Sequence, residues 1–184
     1  MLRVDGHEYR APLPVRPDPR VSFDPTGAAA ALDLARAAEG SLARLADARR
    51  EVDYVKDRLA ALATQAGTKQ ESVSSALAAL KDRLAPLTDE EGDSGPRLSS
   101  IADALRALHD DLEGSDTAPT EPQRRVQAAC DKRLDRALSL WGETKGPTLA
   151  TLNTALRGAG LDPIVIPPVE QIRLGGTSPG RELP

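Results

Sequence analysis

The stretch that decides the fold runs from Leu45 to Gly67 and reads LADARREVDYVKDRLAALATQAG. Its apolar residues recur at alternating intervals of three and four, which is the spacing of a heptad seam on one face of an α-helix. The seam comprises Leu45, Ala48, Val52, Val55, Leu59, Leu62 and Ala66. No proline follows Pro25 before Gly67, so the pattern predicts one helix from Asp24-Pro25 to Gly67. At 1.5 Å per residue this helix is roughly 60 Å long, and other helices must cover its seam.

Two shorter helices are predicted next. Thr68 and Glu71 form a capping box, in which each side chain bonds the other's backbone amide, before a second helix that ends near Pro86. Pro96 suits the first turn of a third helix, and Gly114 supplies its stop. Both segments carry leucines on one face, so both are expected to pack against the first helix.

A fourth, long helix begins at a second capping box, Thr120 to Gln123. Gly146-Pro147 interrupts it, because proline lacks an amide hydrogen and clashes with the preceding turn; the helix is expected to kink or restart there. Beyond this point the apolar stripe continues to Gly158 or Gly160, with Leu161 placed as the apolar partner of a Schellman-type helix end.

The sequence therefore predicts a mainly α chain folded as an antiparallel four-helix bundle, preceded by a remnant β-hairpin. Its first and fourth helices are long, and its second and third are short. Short connections favour antiparallel neighbours, so the two long helices are expected to run antiparallel along their full length. The two short helices then pack on the half where the first helix ends. The hairpin and the extended Ile164-Val165-Ile166 are expected to cover part of the other half.

Three regions follow from this prediction. Residues 1–23 form a remnant hairpin and linker, residues 24–163 form the helical bundle, and residues 164–184 form an extended segment with a disordered tail over 175–184. The chain opens with a two-stranded pattern of apolar residues around Asp5-Gly6, and a hairpin without further strands is marginal in water.

Composition excludes several function classes. Hydrophobic residues make up 40% of the chain but aromatic residues only 2%, which favours a core of Leu, Val and Ala. The net charge is −4 and the charges are interleaved, whereas nucleic-acid binding needs a basic stripe. No apolar run reaches the length of a membrane span, and the first 25 residues lack a signal-peptide core. We expect no nucleic-acid partner and no membrane span, and localisation stays open.

The strongest indication of a metal site is His109, which has Glu113 four residues later and lies beside Asp110 and Asp111. Because a charged helix end explains the same residues, no metal ligand is predicted. The acidic segment with Asp89, Glu90, Glu91 and Asp93 lacks the ligand spacing of a calcium loop. A solvated loop is expected there.

No residue is predicted to be catalytic. Cys130 is the single cysteine and lies on an apolar seam, so it is expected to be a small buried hydrophobic residue. The chain has no phosphate-binding glycine loop and no nucleophile elbow. We therefore expect no enzymatic activity in this chain, no cofactor and no cofactor-binding residue. Tyr54 and Trp141 are expected to be packing anchors, with a docking surface as the alternative.

The first residues resemble a known family. Val4-Asp5-Gly6, Tyr9, Pro12-Leu13, Val15 and Asp18-Pro19-Arg20-Val21 are similar to the end of the immunoglobulin-like module that follows the β-propeller in bacterial sortilin-like proteins. These proteins contain BNR (Asp-box) repeats and are often described as glycosyl hydrolases. Later residues resemble the last helices of the family: the stretch GSDTAPTEPQ (114–123), Trp141, Leu152-Asn153, Leu156 and Gly160-Leu161-Asp162-Pro163. The resemblance covers about residues 2–166.

The resemblance implies a non-catalytic C-terminal helical module of a larger, secreted or periplasmic propeller protein. Its expected partners are the propeller and immunoglobulin-like domains of that protein, or a second copy of the chain. The family's hydrolytic residues would lie in the propeller, so none is carried over. Two alternatives stay open: an accessory part of a glycoside hydrolase that shapes its cleft, and a free-standing coiled-coil adaptor.

Overall fold

Long helices dominate the computed structural model, which describes residues 2–12, 14, 20, 23–65, 71–88, 96–114 and 117–173. A hairpin of β1 (Leu2–Val4) and β2 (His7–Tyr9) comes first. The helices are α1 (Pro25–Gln65), α2 (Glu71–Thr88), α3 (Leu98–Glu113), α4 (Glu121–Glu143), α5 (Leu149–Gly158) and α6 (Val169–Arg173), and a π-helical turn (Thr144–Thr148) joins α4 to α5. The prediction of a mainly α chain is confirmed.

Side-chain caps fix two of the helix starts. The carboxylate of Asp24 accepts a hydrogen bond from the backbone amide of Thr26 at 3.0 Å, and Pro25 is the first residue of α1. Thr120 and Gln123 form the predicted capping box at the start of α4. Both predicted N-termini are confirmed. The predicted box at Thr68 and the stop at Gly67 lie outside the described residues.

The predicted seam of α1 is buried from Leu45 to Leu62, and Ala66 lies outside the described residues. The buried faces of the other helices join it in one hydrophobic core: Val73, Leu77, Leu80 and Leu84 from α2, Ile101 and Leu105 from α3, Leu134 and Trp141 from α4, and Leu152 and Leu156 from α5. Each of these helices is therefore stabilised by tertiary packing, because the other helices cover its apolar stripe.

The two long helices run parallel, which corrects the antiparallel arrangement expected from the sequence. Ser41 of α1 bonds Asp131 of α4, and Arg44 bonds Asp135. Glu51, which follows Arg44 along α1, bonds Trp141, which follows Asp135 along α4. Partners that advance together along both helices require that the helices point the same way.

The reason is that α2 and α3 do not form a hairpin with each other. Gln123 at the start of α4 bonds Asp111 near the end of α3, and Arg133 further along α4 bonds Ser100 near the start of α3. The helix α3 therefore runs antiparallel to α4 and to α1, and its His109 meets Glu39 in the first half of α1. In contrast, α2 contacts α5 and the π-helical turn. The two short helices thus lie at successive levels and together form one returning column. The chain reverses direction twice and not three times, and α4 points the same way as α1. The expectation that both short helices pack where α1 ends is wrong for α3.

The helical conformation continues through Gly146-Pro147 as one π-helical turn, which connects α4 directly to α5. The amide of Leu149 donates to the carbonyl of Thr144, five residues back, because Pro147 has no amide hydrogen to contribute. Thr144 is fully buried, and its hydroxyl donates to the carbonyl of Leu140 at 2.7 Å. The predicted kink or restart therefore takes the form of one widened turn.

The end of α5 is the predicted Schellman motif. Gly160 has a φ of +71°, the amide of Leu161 donates to the carbonyl of Leu156 at 2.9 Å, and the amide of Gly160 donates to that of Arg157. The chain then turns back so that Ile164 is buried, and α6 contacts α1. The expectation that 164–166 cover the half where α1 begins is wrong for Ile164, because Ile164 bonds Asn153 of α5, beyond the level at which Trp141 meets Glu51. The helix α6 was also not predicted, since an extended segment and tail were expected there. The predicted disordered tail lies outside the described residues.

The predicted hairpin is present at the N-terminus. Leu2 pairs with Tyr9 and Val4 with His7, around a turn in which Asp5 and Gly6 both have positive φ. Side chains 3–12 are all exposed, so the expectation that the hairpin covers part of the helices is not met by these residues. Leu13 and Val15 lie outside the described residues.

Among the helices described, none has the length and apolar character that a membrane crossing requires.

Candidate functional site

Among the described residues, one group of metal-ligating side chains lies where α3 ends against the first half of α1. The imidazole of His109 is largely covered, and its Nε2 lies 3.2 Å from Oε1 of Glu39, which comes from α1. Its Nδ1 lies 4.0 Å from Oδ1 of Asp110 and 3.9 Å from Oε2 of Glu113. The predicted neighbours His109 and Glu113 are therefore brought together, and Glu39 joins them.

Three carboxylates thus surround one imidazole. Within the described part of the chain, no lysine or arginine pairs with Glu39, Asp110 or Glu113. One ligand atom each from His109, Asp110 and Glu113 lies within 4.8 Å of the other two. This arrangement can bind a cation, or the imidazole can carry a proton and pair with the carboxylates.

The other histidine of the chain is not brought to this group. His7 lies in β2 with its side chain exposed. The acidic segment with Asp89, Glu90, Glu91 and Asp93 lies outside the described residues.

Cys130 is buried on the core face of α4, as predicted. Burial raises the pKa of its thiol, the positive charge of Arg133 opposes that rise, and the carboxylate of Asp131 adds to it. A thiol with a raised pKa is a poor nucleophile at neutral pH. Cys130 therefore has the properties of a packing residue.

A polar cluster interrupts the apolar contact between α1 and α4. The hydroxyl of Ser41 donates to Oδ1 of Asp131 at 2.7 Å, and Nε2 of Gln127 donates to the same oxygen at 2.9 Å. Oε1 of Gln127 is buried without a partner in the described part of the chain. The cluster fixes the relative position of the two helices, because a one-turn slip would separate the buried polar groups from each other.

The two aromatic residues singled out from the sequence differ in their surroundings. Trp141 is buried, and its Nε1–H donates to Oε2 of Glu51 at 2.6 Å. Lys145 donates to the same oxygen at 2.9 Å and lies 5.9 Å from the centre of the indole ring. Tyr54 is half-buried against the core, with the guanidinium of Arg58 5.8 Å from its ring centre. Both rings act as packing anchors.

A groove of about 360 Å³ runs along α1 beside α3. Its floor is formed by Leu42, Leu45 and Ala46, and its rim includes Arg49 and Arg106. Both arginines are already paired, with Asp53 and Asp103 respectively. These two arginines are thus neutralised, and the described residues that line the groove form no convergent set of polar groups of the kind that orients a small ligand.

The hairpin presents two chemically different faces. Val4, His7 and Tyr9 lie on one face, whereas Arg3 and Glu8 face the other way and form an ion pair of 3.7 Å. Val4 is 45% exposed and Tyr9 is 59% exposed. The side of the hairpin that carries apolar residues is therefore in contact with solvent.

Sequence reasoning missed the long-range partners in these clusters. Glu39 and His109 are 70 residues apart, and Glu51 and Trp141 are 90 residues apart. No local pattern marks Glu39 or Glu51, because both lie off the apolar seam of α1 among many other charged residues. Finding them requires the directions and relative positions of the helices.

Comparison of the chain with family models, with curated proteins and with solved structures finds no match.

Proposed function

We propose that this chain is a non-catalytic helical module that docks onto a β-sheet of a larger protein through its N-terminal hairpin. The observation that carries the proposal is the exposed face of that hairpin, with Val4 45% and Tyr9 59% exposed. A two-stranded hairpin alone is marginal in water. No further strand of the described residues pairs with this hairpin, and an exposed strand edge is a template for pairing with another chain.

The helical part supports the same proposal. Its apolar stripes are already used in one core, and Cys130 is buried with a raised thiol pKa. The helices thus pack around a core of their own, and the side chains of residues 3–12 stay exposed. Because residues 2–21 resemble the end of an immunoglobulin-like module, the partner we propose is a β-sandwich that lacks its last hairpin.

The experiment mixes the full chain with such a partner. The immunoglobulin-like module of a sortilin-like propeller protein is produced without its last two strands, and complex formation is followed by sedimentation velocity. Hydrogen exchange is then measured at the amides of residues 3–9. We expect a 1:1 complex and slower exchange of these amides in the complex.

Two variants test which face of the hairpin binds. Val4→Lys and Tyr9→Lys place a charge on the apolar face and should abolish the complex, because the charge would be buried without a partner. Arg3→Gln changes the opposite face and should leave the complex intact. Equal binding by all three variants, or no binding by the unaltered chain, would overturn the proposal.

The same experiment separates the alternatives. Leu32 on α1 is half-exposed and Val126 on α4 is 41% exposed, so dimerisation that persists in Val4→Lys and Tyr9→Lys would assign the interface to a helix face and not to the hairpin. That result, together with no binding to the module, would favour a free-standing adaptor. A role in shaping a hydrolase cleft would require the complex to change sugar binding by the propeller.

A further inference from the structure

We infer that the end of α3 is a binding site for one divalent transition-metal ion of the Zn²⁺ class, with His109 Nδ1, Asp110 and Glu113 as ligands and Glu39 as the residue that orients the imidazole. This inference goes beyond the proposed function and does not rest on it.

The first argument is the orientation of the imidazole. In the neutral ring one nitrogen carries hydrogen and the other is an acceptor. Glu39, from a different helix, accepts from Nε2–H at 3.2 Å, so Nδ1 is the nitrogen with a free lone pair. Carboxylates that bond the outer nitrogen of a metal-ligating histidine are a regular feature of zinc sites, because they fix both the tautomer and the ring orientation.

The second argument is that Nδ1 then faces two further acceptors. Oδ1 of Asp110 is 4.0 Å away and Oε2 of Glu113 is 3.9 Å away, and no lysine or arginine of the described residues pairs with either. Because the three ligand atoms all lie within 4.8 Å of one another, an ion equidistant from them lies roughly 2.5 Å from each, a little beyond the 2.0–2.2 Å of zinc bonds. Both carboxylates are on exposed side chains that can rotate to close this difference.

The third argument is the helix end itself. The last turn of α3 carries acidic residues and no basic residue. The C-terminus of a helix has a partial negative charge, so these carboxylates are placed against the helix dipole. A bound divalent cation would neutralise the carboxylates and the partial negative charge of the helix end. Without a cation, the carboxylates repel one another and the helix end.

The choice of ion follows from the ligands. Imidazole favours zinc and related transition metals over Mg²⁺ and Ca²⁺, which favour sites made of oxygen alone. Three protein ligands leave one coordination position for water. His109, Asp110 and Glu113 come from one helix, so the ion would reinforce the last turn of α3, and Glu39 would couple it to α1.

The test is Zn²⁺ binding to the full chain by isothermal titration calorimetry, with Co²⁺ absorption as a second readout. We expect saturable binding of one ion per chain. The chain has two histidines, so His7→Ala is a matched control that should bind as the unaltered chain does. His109→Ala should lose the site, and His109→Gln gives the same test in a residue of similar volume. Circular dichroism checks that each variant remains helical.

Three acidic variants separate coordination from general attraction of a cation. Glu113→Gln removes a ligand, and Asp111→Asn removes the same charge from the same turn without removing a ligand. Glu39→Gln should weaken binding by about 10–100-fold, the usual effect of losing such an outer partner. The inference is overturned if the unaltered chain binds no Zn²⁺, if His109→Gln binds as well as the unaltered chain, or if Glu113→Gln and Asp111→Asn weaken binding equally.

Discussion

The side-chain amide of Asn153 bonds the backbone of Ile164 through both of its polar groups. Its Oδ1 accepts from the amide of Ile164 at 2.7 Å, and its Nδ2 donates to the carbonyl of the same residue at 2.9 Å. No strand of the described residues lies beside this extended segment, and one side chain bonds both the backbone amide and the backbone carbonyl of Ile164. Asn153 thereby holds the buried Ile164 against α5, and the chain can continue into α6.

Replacing Asn153 by Ala should therefore release the segment from 164 to 173. Two buried backbone groups would lose their partners, at a cost of about 1–3 kcal/mol in the free energy of unfolding. The measurement is urea denaturation, with hydrogen exchange at the Ile164 amide as a local readout. Thr154→Ala, at the neighbouring exposed position, is the control and should change the free energy of unfolding by less than about 1 kcal/mol. An unchanged exchange rate at Ile164 in Asn153→Ala would contradict the assignment.

A second prediction concerns the contact of Glu51 with Trp141. Glu51→Ala removes the acceptor of the buried indole N–H and of Lys145 together. We expect a loss of about 1–3 kcal/mol in the free energy of unfolding, because the indole N–H is left buried without a partner. Trp141 is the single tryptophan of the chain, so its fluorescence reports this contact directly.

The control for Glu51 is a double-mutant cycle. Trp141→Phe removes the indole N–H, so adding Glu51→Ala to it should cost less than Glu51→Ala costs in the unaltered chain. Additive losses would show that Glu51 stabilises the protein through Lys145 or through other contacts.

A third prediction compares two glycines of opposite conformation. A Cβ added at Gly40, in the middle of α1, meets nothing within 4 Å. Gly40→Ala should therefore raise the free energy of unfolding by about 0.5–1 kcal/mol, because alanine loses less backbone freedom in a helix. Gly160 also has open space around it, but its φ of +71° is strained for alanine.

Gly160→Ala should accordingly lower the free energy of unfolding by about 1 kcal/mol. Thermal denaturation of the two variants and the unaltered chain measures both changes in one experiment. A gain in stability from Gly160→Ala would argue against the Schellman end of α5.

A fourth prediction follows from the buried thiol of Cys130. Burial raises its pKa above the ordinary value of 9.0, so the thiol of the unfolded chain loses its proton at a lower pH than that of the folded chain. Between the two pKa values the unfolded state binds fewer protons, and the free energy of unfolding falls as pH rises. The contribution of the buried thiol to the free energy of unfolding is therefore fully present below about pH 9. It is lost as the pH rises above that value.

Cys130→Ala isolates this effect from other groups that titrate at high pH. The difference in free energy of unfolding between the unaltered chain and the variant should be constant near neutral pH and should shrink above about pH 9. A difference that stays constant to higher pH would mean that the thiol is ionised equally easily in both states.

The sequence by itself determined the helical segments from α1 to α5 and which face of each is buried, whereas it did not indicate α6. The heptad seam from Leu45 to Leu62, the caps at Asp24 and Thr120, and the Gly160 stop all depend on residues within a few positions of one another. Such local signals are complete in the chain itself, because helix periodicity and capping involve neighbours three or four residues apart.

Only the tertiary structure decided how the helices are directed and which distant side chains meet. Whether α4 runs with or against α1 depends on whether α2 and α3 reverse against each other or lie in one column. The apolar stripes of the short helices are compatible with both arrangements, since a leucine seam fits a neighbour of either direction. The contact of Glu39 with His109 follows from that choice, as do those of Ser41 with Asp131 and of Glu51 with Trp141, because each joins residues that only the packing of whole helices brings together.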